Sequence, residues 1–232
     1  MTEQEIIERA GKIWWWHQIR LTPNYATPGM TDPLAMIAPS DAPGRVKGRR
    51  VLDIGCWDGG LAFELERRSA AEVVAMDTWD WGYDWKPGQE WRDKPRLGHK
   101  SLRAGFDLAR EALDSKVYPL QMNIMDATPE AIGTFDVVFF CGVLYHLRHP
   151  LLALDRVRAL CRDLLVVETH LGMPTGAGPV AAFYPGAELN NDPTNWWGPS
   201  MECVIAWLRS SGFKTVEFRG GSSRGVFHAR VG

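Results

Sequence analysis

Apolar runs that alternate with helical patterns are the feature that most restricts the fold of this chain. From residue 50 onward the runs RVLDI, EVVAM, KVYPLQM, FDVVFF and DLLVVE alternate with amphipathic segments at 61–68, 101–113 and 151–161. Strands that are continuous in valine, isoleucine, leucine and phenylalanine are buried on both faces, which is typical of a parallel sheet covered by helices. The pattern predicts an α/β protein with a doubly wound, mostly parallel, seven-stranded sheet.

The N-terminal end of the chain adds a predicted helix to this fold, and the C-terminal end adds two strands. Thr2 and Glu5 form a capping box for a predicted helix that runs to about Ile19, and a Pro/Gly-rich segment follows it. At the other end, a predicted helix over 200–211 leads to FKTVEF and VFHARV, two strands that a Gly/Ser turn joins. We expect a Rossmann-like fold in which 1–47 form an N-terminal helical cap and lid, and 48–232 form one compact core domain that closes with an antiparallel hairpin.

Composition excludes several classes of protein. The 232 residues include four cysteines without a C-x-x-C pair, which favours reduced structural thiols over a zinc site or a disulfide framework. Twenty-six basic and 28 acidic side chains give a formal charge of -2, so nucleic acid is disfavoured as a partner, although a local basic patch stays open. No apolar run suits a membrane span or a signal peptide, so we expect a cytoplasmic protein without membrane contact. The sequence leaves the oligomeric state open.

Polar residues and glycines stand at the ends of the predicted strands, where ligands of such sheets bind. Asp53 and Gly55 follow the first strand, Asp77 ends the second, and Asp126 follows the third. A carboxylate about 20 positions beyond a glycine turn accepts hydrogen bonds from both ribose hydroxyls, which is the predicted role of Asp77. Asp126 can accept from an adenine amino group, with Met125 as an apolar wall beside the ring. Together these residues predict a site for an adenosyl group.

Trp57 discriminates between adenosyl ligands. In VLDIGCWDGG it stands where a dinucleotide-binding loop carries the second glycine, which lets the backbone approach a pyrophosphate. S-adenosylmethionine has no phosphate, and its cationic amino acid tail suits the carboxylate of Asp53 and the backbone near Gly55. We therefore expect S-adenosylmethionine rather than NAD. The indole either covers the methionine end or the acceptor pocket, or it packs under the N-terminal helix.

Several motifs carry a resemblance to a known family. VLDIGCWDGG, VVAMD, NIMDATPE and FDVVFFCGVLYHLRHPLLAL resemble, in order and spacing, the motifs of class I S-adenosylmethionine-dependent methyltransferases over about residues 48–218. More narrowly, WHQIRLTPNYATPG, GVLYHLRHPLLAL and WLRSSGF resemble the branch that contains the tRNA wobble-uridine carboxymethyltransferases. Similar short proteins of that branch are thought to methylate small molecules.

The resemblance implies a set of cofactor-binding residues. It assigns the methionine moiety to Asp53, Gly55 and Gly59, the ribose to Asp77, the adenine to Met125 and Asp126, and the backbone beneath the sulfonium to Cys141 and Gly142. Neighbouring residues complete the predicted cofactor site: Cys56, Trp57, Thr78, Trp79 and Tyr145.

The narrower resemblance raises a choice of cofactor. The carboxymethyl enzymes use a carboxylated S-adenosylmethionine, whose extra carboxylate meets a lysine, a tyrosine and an arginine. Tyr145 matches the tyrosine and Arg224 is the candidate for the arginine, but the upstream lysine has no counterpart before Trp14. A buried carboxylate that lacks one of its cations is costly. We therefore expect ordinary S-adenosylmethionine and methyl transfer to an O or N atom of a small, specialised-metabolite acceptor, with tRNA wobble-uridine carboxymethyl or methyl transfer as the alternative.

Transfer to a hydroxyl also needs a base. The predicted catalytic candidates are His146 and His170, because both stand near strand ends and histidine titrates near neutral pH. His17 and His149 stand on neighbouring segments. Each of these side chains can instead bond backbone carbonyls and shape a loop.

Aromatic segments supply the predicted acceptor side. Residues 77–100 and 169–200, with IWWWHQI, predict a lid over an aromatic, glycosyl or otherwise rigid acceptor, unless their tryptophans only form a satellite core. The predicted acceptor-binding residues are Trp16, His17, Tyr184, Asn190, Trp196, Trp197 and Arg224.

Two further hypotheses concern the segment after Asp77. Its acidic residues lack convergent metal-ligand spacing, so we expect no metal at Asp80, Asp84 and Asp93. A tRNA enzyme needs a basic stripe, which could come from Lys86, Arg92, Lys94, Arg96 and Lys100, although acidic neighbours dilute it.

A third class of function is also compatible with the fold. The chain could be a cofactor-binding module without catalysis, or an NAD-dependent reductase.

Overall fold

The structure, a computed structural model, describes residues 1–79 and 103–232 and is built on nine strands in these ranges. In chain order they are β1 (Arg50–Ile54), β2 (Glu72–Asp77), β3 (Tyr118–Gln121), β4 (Phe135–Cys141), β5 (Cys161–His170), β6 (Ala181–Phe183), β7 (Trp197–Pro199), β8 (Thr215–Gly221) and β9 (Arg224–Arg230). The helices of the described residues are α1 (Glu3–Ala10), α2 (Gly60–Arg67), α3 (Ala104–Ala112), α4 (Pro129–Ile132), α5 (Pro150–Leu160) and α6 (Met201–Ser210).

Seven of these strands form one sheet in the order β3-β2-β1-β4-β5-β9-β8. The pairs among β1 to β5 are parallel, and β9 is antiparallel to both β5 and β8. The predicted Rossmann-like sheet with its closing antiparallel hairpin is therefore confirmed. The chain order reverses between β1 and β4, which is the position where such a sheet opens a ligand site. A separate small sheet, β6 with β7, was not predicted.

Alternation of side chains along the strands divides the core into two layers. On β4, Val137 and Phe139 face the layer that contains α2 and α3, whereas Val138 and Phe140 face the layer that contains α5 and α6. Both phenylalanines are fully buried, and burial of such a side chain contributes about 1.5–3 kcal/mol. The two apolar layers hold the strands in register, so the carboxyl ends of β1, β2, β4 and β5 meet at one edge.

The N-terminal segment is not the long helix that the sequence suggested. Helix α1 ends at Ala10, and residues 14–31, called the strap below, contain no helix and double back on themselves, with an antiparallel bridge between Arg20 and Ala26. Within the strap, the amide of Gln18 donates to the carbonyl of Thr31 at 2.8 Å. The helix prediction to about Ile19 was wrong because burial alternates with period two at residues 15, 17, 19 and 21, which is a strand-like pattern.

The strap belongs to the core rather than lying loosely over it. Trp15 is fully buried in the same apolar layer as Val51 of β1, and its indole N–H donates to the Ala10 carbonyl at 3.0 Å. Gly29 permits the fold of the strap, because a Cβ at this position would lie 2.0 Å from the carbonyl carbon of His17.

We expect Gly29→Ala to lower the free energy of unfolding by about 2 kcal/mol or more, because the added methyl meets rigid backbone. Gly44→Ala is the matched control, since a Cβ there meets nothing within 4 Å, and its effect should stay within about 0.5 kcal/mol. Urea denaturation of both variants measures the difference. Equal losses of stability would contradict the proposed strap packing.

Candidate active site

A cavity of about 1290 Å³ opens where the parallel strands end. Its described walls include Gly55 beyond β1, Asp77 at the end of β2, Gly142 beyond β4 and His170 at the end of β5. The strap forms a further wall. This position, at the carboxyl ends of the strands and beside the switch in strand order, is where doubly wound sheets bind nucleosides. The volume leaves space for an acceptor beside a cofactor of drug size.

The loop after β1 has a backbone that few residues tolerate. Gly55 has φ +75°, and a Cβ there would lie 2.3 Å from Cγ2 of Val143. Trp57 in this loop has φ +50°, and Trp79, just beyond β2, has φ +47°. Both values lie in the left-handed region, which costs a bulky residue about 1 kcal/mol or more. Favourable contacts in the surrounding structure must offset this cost in free energy. The carboxylate of Asp77 makes such contacts.

Asp77 ties the two tryptophans together. Its Oδ2 accepts from the amide of Trp57 at 2.9 Å, and its Oδ1 accepts from the amide of Trp79 at 3.0 Å. The indole N–H of Trp79 donates to the Trp57 carbonyl at 2.8 Å, which closes the network. Each carboxylate oxygen has further lone pairs, so Asp77 can still accept hydrogen bonds from two vicinal hydroxyls.

Trp57 contacts the strap. Its indole lines the cavity and meets the ring of Trp14 edge-on at 5.9 Å between centroids. Trp16 follows at 6.0 Å from Trp14, so three indoles form a continuous aromatic wall, defined here as Trp14, Trp16 and Trp57. Of the two predictions for Trp57, the geometry matches cover over the cavity. Helix α1 packs elsewhere, with Arg9 bonded to Glu111 of α3 at 2.8 Å.

Asp53 offers a buried carboxylate behind the same loop. It lies within β1, one residue before its end, and its Oδ2 has no hydrogen-bond partner among the described residues. Burial raises the pKa of Asp53 to about 7, with His17 acting to lower it and Asp77 to raise it. A buried carboxylate with one unpartnered oxygen, two residues before the turn at Gly55, fits a ligand that brings positive charge. S-adenosylmethionine has this character.

Arg224 of β9 reaches the opposite side of the cavity. Its Nη2 donates to Glu168 Oε2 at 2.8 Å and its Nε bonds Oε1, so the guanidinium and the fully buried carboxylate form a two-pronged ion pair. Nη1 donates to the Tyr145 hydroxyl at 3.3 Å. Burial raises the pKa of the Tyr145 phenol, so it stays neutral and its own O–H can donate to a ligand.

His146 has a partner for its Nδ1 in the loop before β7. Nδ1 lies 2.9 Å from Oγ1 and 3.2 Å from the carbonyl of Thr194, and that hydroxyl in turn donates to Asp192 at 2.7 Å. A carbonyl only accepts, so Nδ1 carries the proton. Burial lowers the pKa of His146 to about 4. The imidazole is therefore neutral and a weak base.

His170 has a different environment at the end of β5. Its ring lies 6.3 Å from that of Tyr145 and 6.4 Å from that of Tyr184, and it lines the cavity. Burial, together with the charge of Arg224, lowers the pKa of His170. Nε2 is buried and has no hydrogen-bond partner among the described residues. The imidazole is thus neutral with a nitrogen available to take a proton.

The cavity brings together most of the sequence-predicted site residues. Those that line it are Trp16, His17, Gly55, Trp57, Asp77, Thr78, Trp79, Met125, Cys141, Gly142, Tyr145, His146, His170, Asn190 and Arg224. Those that the structure puts outside the lining are Asp53, Cys56, Gly59, Asp126, Tyr184, Trp196 and Trp197.

The residues outside the lining have other contacts. Gly59, with φ +86°, is the residue before α2 and lies against Phe106. Trp196 is buried beneath the guanidinium of Arg148. Trp197 packs on Phe183 and Trp207 away from the cavity. Burial of Trp196 matches the satellite-core alternative.

Several lining residues were not predicted as site residues. They include Trp14, Met30 and Thr31 of the strap, Asn123 before Met125, and Thr194. The period-two burial of the strap was the available signal for Trp14, because it alternates with the buried Trp15. No motif marked Thr194.

Three other observations concern features named in the sequence. The four cysteines are free thiols. Within residues 1–79 and 103–232, no three His, Cys, Asp or Glu side chains converge as metal ligands, and no helix has the length and apolar character to span a bilayer. The acidic and basic residues named between positions 80 and 100 lie outside the described residues.

The geometry agrees with a match to a known family. A profile described as "Methyltransferase domain" matches residues 25–215, and the chain belongs to that family. It is an S-adenosylmethionine-dependent methyltransferase of class I, as the motif resemblance predicted.

Curated relatives come from the narrower branch. A tRNA U34 carboxymethyltransferase of Idiomarina loihiensis is 29% identical over 173 residues, which cover 74% of this chain and 47% of that protein. One of Hydrogenovibrio crunogenus is 31% identical over 180 residues, with 74% and 46% covered. The chain spans about half the length of these relatives.

Solved structures share the fold. The N-terminal domain of EvdMO1, crystallised in the presence of SAH and D-fucose, has a TM-score of 0.67 at 17% identity, and the match covers 99% of this chain and 97% of that one. Magnesium protoporphyrin IX methyltransferase of Synechocystis PCC 6803 with bound SAM has a TM-score of 0.54 at 13% identity, covering 84% and 76%.

The raised pKa of Asp53 predicts a pH-dependent stability. In the unfolded chain an aspartate titrates near about 3.9, so between about pH 4 and 7 the folded protein keeps a proton that the unfolded chain has lost. The contribution of Asp53 to stability is therefore complete below that window and is lost as the pH rises through about 7.

Asp53→Asn removes this titration, so the free energy of unfolding of the wild type should fall relative to the variant by a few kcal/mol across the window. Urea denaturation at a series of pH values measures it, with the exposed Asp114→Asn as control. Parallel curves for the wild type and Asp53→Asn would contradict the burial of an uncompensated carboxylate.

Proposed function

We propose that this chain transfers a methyl group from S-adenosylmethionine to a hydroxyl group of a small-molecule acceptor with a rigid ring. The proposal depends on one observation, which is how few basic side chains stand in the described cavity lining. Arg224 is the only arginine or lysine of that described lining, and Glu168 already pairs with its guanidinium through both carboxylate oxygens. A polyanionic acceptor needs cations near the site, whereas a neutral one does not.

The walls of the cavity support a neutral, hydroxylated or aromatic acceptor. On one side stands the aromatic wall, and on the other stands a loop with Asn190, Asn191 and Asp192. Asn190 and Asn191 both have left-handed φ, of +57° and +52°, which aspartates and asparagines tolerate best. Indoles pack against a ring, and amides and carboxylates hydrogen-bond its substituents. The presence of D-fucose with the EvdMO1 domain supports a glycosyl ring.

S-adenosylmethionine, when bound, would supply an electrophilic methyl group to the acceptor oxygen, with S-adenosylhomocysteine as the leaving group. The protein must hold the acceptor in line and take its proton. His170 is the better base of the two predicted candidates, because burial lowers the pKa of His146 to about 4, whereas Nε2 of His170 lies at the cavity without a hydrogen-bond partner among the described residues. Tyr145 can donate to the acceptor from the same side.

The first experiment compares cofactors and acceptors directly. Calorimetry should show binding of S-adenosylmethionine in preference to its carboxylated form. A panel of glycosides, catechols and nucleosides with S-adenosylmethionine then identifies the acceptor by mass spectrometry of the methylated product. A preference for the carboxylated cofactor would overturn this proposal.

Carboxymethyl transfer to the wobble uridine of tRNA is the second candidate, and the names of the curated relatives favour it over the first. One geometric observation also supports it. Tyr145 matches the tyrosine that meets the extra carboxylate in that branch, and Nη1 of Arg224, the candidate for its arginine, donates to the Tyr145 hydroxyl at 3.3 Å in the cavity. The pairing of Arg224 with Glu168 weakens this support, since that cation is already neutralised.

The two candidates predict different salt behaviour. Transfer to unmodified tRNA with the carboxylated cofactor should weaken steeply as salt rises, because phosphate contacts release counterions. Transfer to a neutral small molecule should change little over the same range. Incorporation measured across a salt series, with both cofactors and both acceptor classes, separates the candidates.

We expect His170→Asn to lower kcat/KM for the hydroxyl acceptor by about 10²- to 10⁴-fold, the range typical of a lost general base. The affinity for S-adenosylhomocysteine should stay unchanged, because binding does not need proton transfer. His149→Asn is the control, since His149 is exposed and lies outside the cavity lining. Activity of His170→Asn close to that of the control would contradict the assignment of the base.

A further inference from the structure

Asp58 makes contacts that the methyltransferase motifs do not explain. It stands in the loop beside Trp57, is 1% exposed, and accepts from two strap amides through Oδ2, that of Trp16 at 2.7 Å and that of His17 at 3.0 Å. Its Oδ1 bonds Nδ1 of the His17 ring. One buried carboxylate thus holds both the backbone and the side chain of the strap at this point.

The pair orients the imidazole of His17. A carboxylate has only lone pairs to offer, so Nδ1 donates to Asp58 and Nε2 is the ring nitrogen left for a ligand. His17 lines the cavity. Most of the ring is buried, because the residue is only 7% exposed.

His17 lies at the corner of the cavity where the loop after β1 meets α2. A Cβ on Gly60, the first residue of α2, would lie 2.6 Å from Cβ and 2.7 Å from Cγ of His17, so the ring rests on the start of this helix. Asp53, two residues before Gly55, is buried as well, and its Oδ2 has no hydrogen-bond partner among the described residues. The imidazole thus lines the cavity and packs against the start of α2, near a buried carboxylate that is itself outside the lining.

We propose that His17, positioned by Asp58, binds the α-amino acid tail of the cofactor in this corner. The tail carries an ammonium, from which Nε2 of His17 can accept a hydrogen bond, and the buried carboxylates of Asp53 and Asp58 near the imidazole favour that positive charge. His17 acts here as a ligand of the tail, and Asp58 is a positioning residue that acts through His17. The inference concerns the cofactor, so it holds for either acceptor class.

The alternative is that the pair only anchors the strap. Asp58 would then stabilise the aromatic wall without any bond from His17 to a ligand. The test must therefore separate loss of a tail contact from general damage to the cavity. Two ligands that differ only in the tail make this separation.

The experiment measures calorimetric affinities of S-adenosylhomocysteine and of 5′-methylthioadenosine, which keeps the nucleoside and lacks the amino acid group. His17→Asn is the main variant, because its side-chain amide can still donate to Asp58 while Nε2 is removed. We expect the affinity for S-adenosylhomocysteine to fall about tenfold or more, as for a lost hydrogen bond to a charged group, and that for 5′-methylthioadenosine to change less than about twofold. His149→Asn should change neither.

Equal losses for both ligands would overturn the proposal, because damage to the cavity would then explain the effect. An unchanged affinity for S-adenosylhomocysteine would overturn it as well. Failure of the proposed function would look different: the wild type would bind S-adenosylhomocysteine with this dependence on the tail, yet methylate no small-molecule acceptor.

Asp58→Asn tests the positioning role by a spectroscopic readout. The side-chain amide of this variant can still accept from the two strap amides through its oxygen, but its NH₂ group then faces His17 and turns Nδ1 into an acceptor. The ¹⁵N spectrum of labelled histidine should show the proton on Nδ1 in the wild type and on Nε2 in the variant. A tautomer that does not change would overturn the role of Asp58.

Discussion

Hydrogen bonds to the carboxylate of Asp77 hold together the end of the cavity beside β1 and β2. It accepts the amides of Trp57 and Trp79, and these bonds hold two bulky residues in a backbone conformation that each would otherwise avoid. Trp57 in turn meets Trp14 of the strap, so the aromatic wall depends on the same carboxylate. The loops after β1 and β2 and the aromatic wall are therefore one mechanical unit, and their positions are not independent.

Charge divides the cavity into two sides. Around Cys56 stand three carboxylates, Asp53, Asp58 and Asp77, and burial together with these charges raises the pKa of that thiol well above its usual value. This side attracts a cation such as a sulfonium with its ammonium tail. On the other side, Arg224 and Glu168 cancel each other. This distribution of charge favours a cationic ligand near the loop after β1.

The sheet and most of the residues that line the cavity at its edge could be predicted from sequence, because both depend on local patterns. Buried strands are continuous apolar runs, and the glycine turn with Asp77 at its proper distance has a spacing that chemistry requires. The strap could not be predicted in this way. Its run of three tryptophans is compatible with a helix face until the alternation from Trp15 to Leu21 is recognised, and its partner Asp58 lies 41 positions from His17. Contacts at such separation follow from tertiary packing alone.

The aromatic wall has an optical consequence. Trp14 and Trp57 stand 5.9 Å apart with their planes at 80°, and Trp16 is adjacent to Trp14. Indole transition dipoles at this separation and in a chiral arrangement couple as excitons, and they give a circular dichroism couplet that isolated tryptophans lack. Any ligand that turns one of these rings changes the sign or size of that couplet. The circular dichroism of the aromatic wall therefore reports whether a ligand occupies the cavity, without an added label.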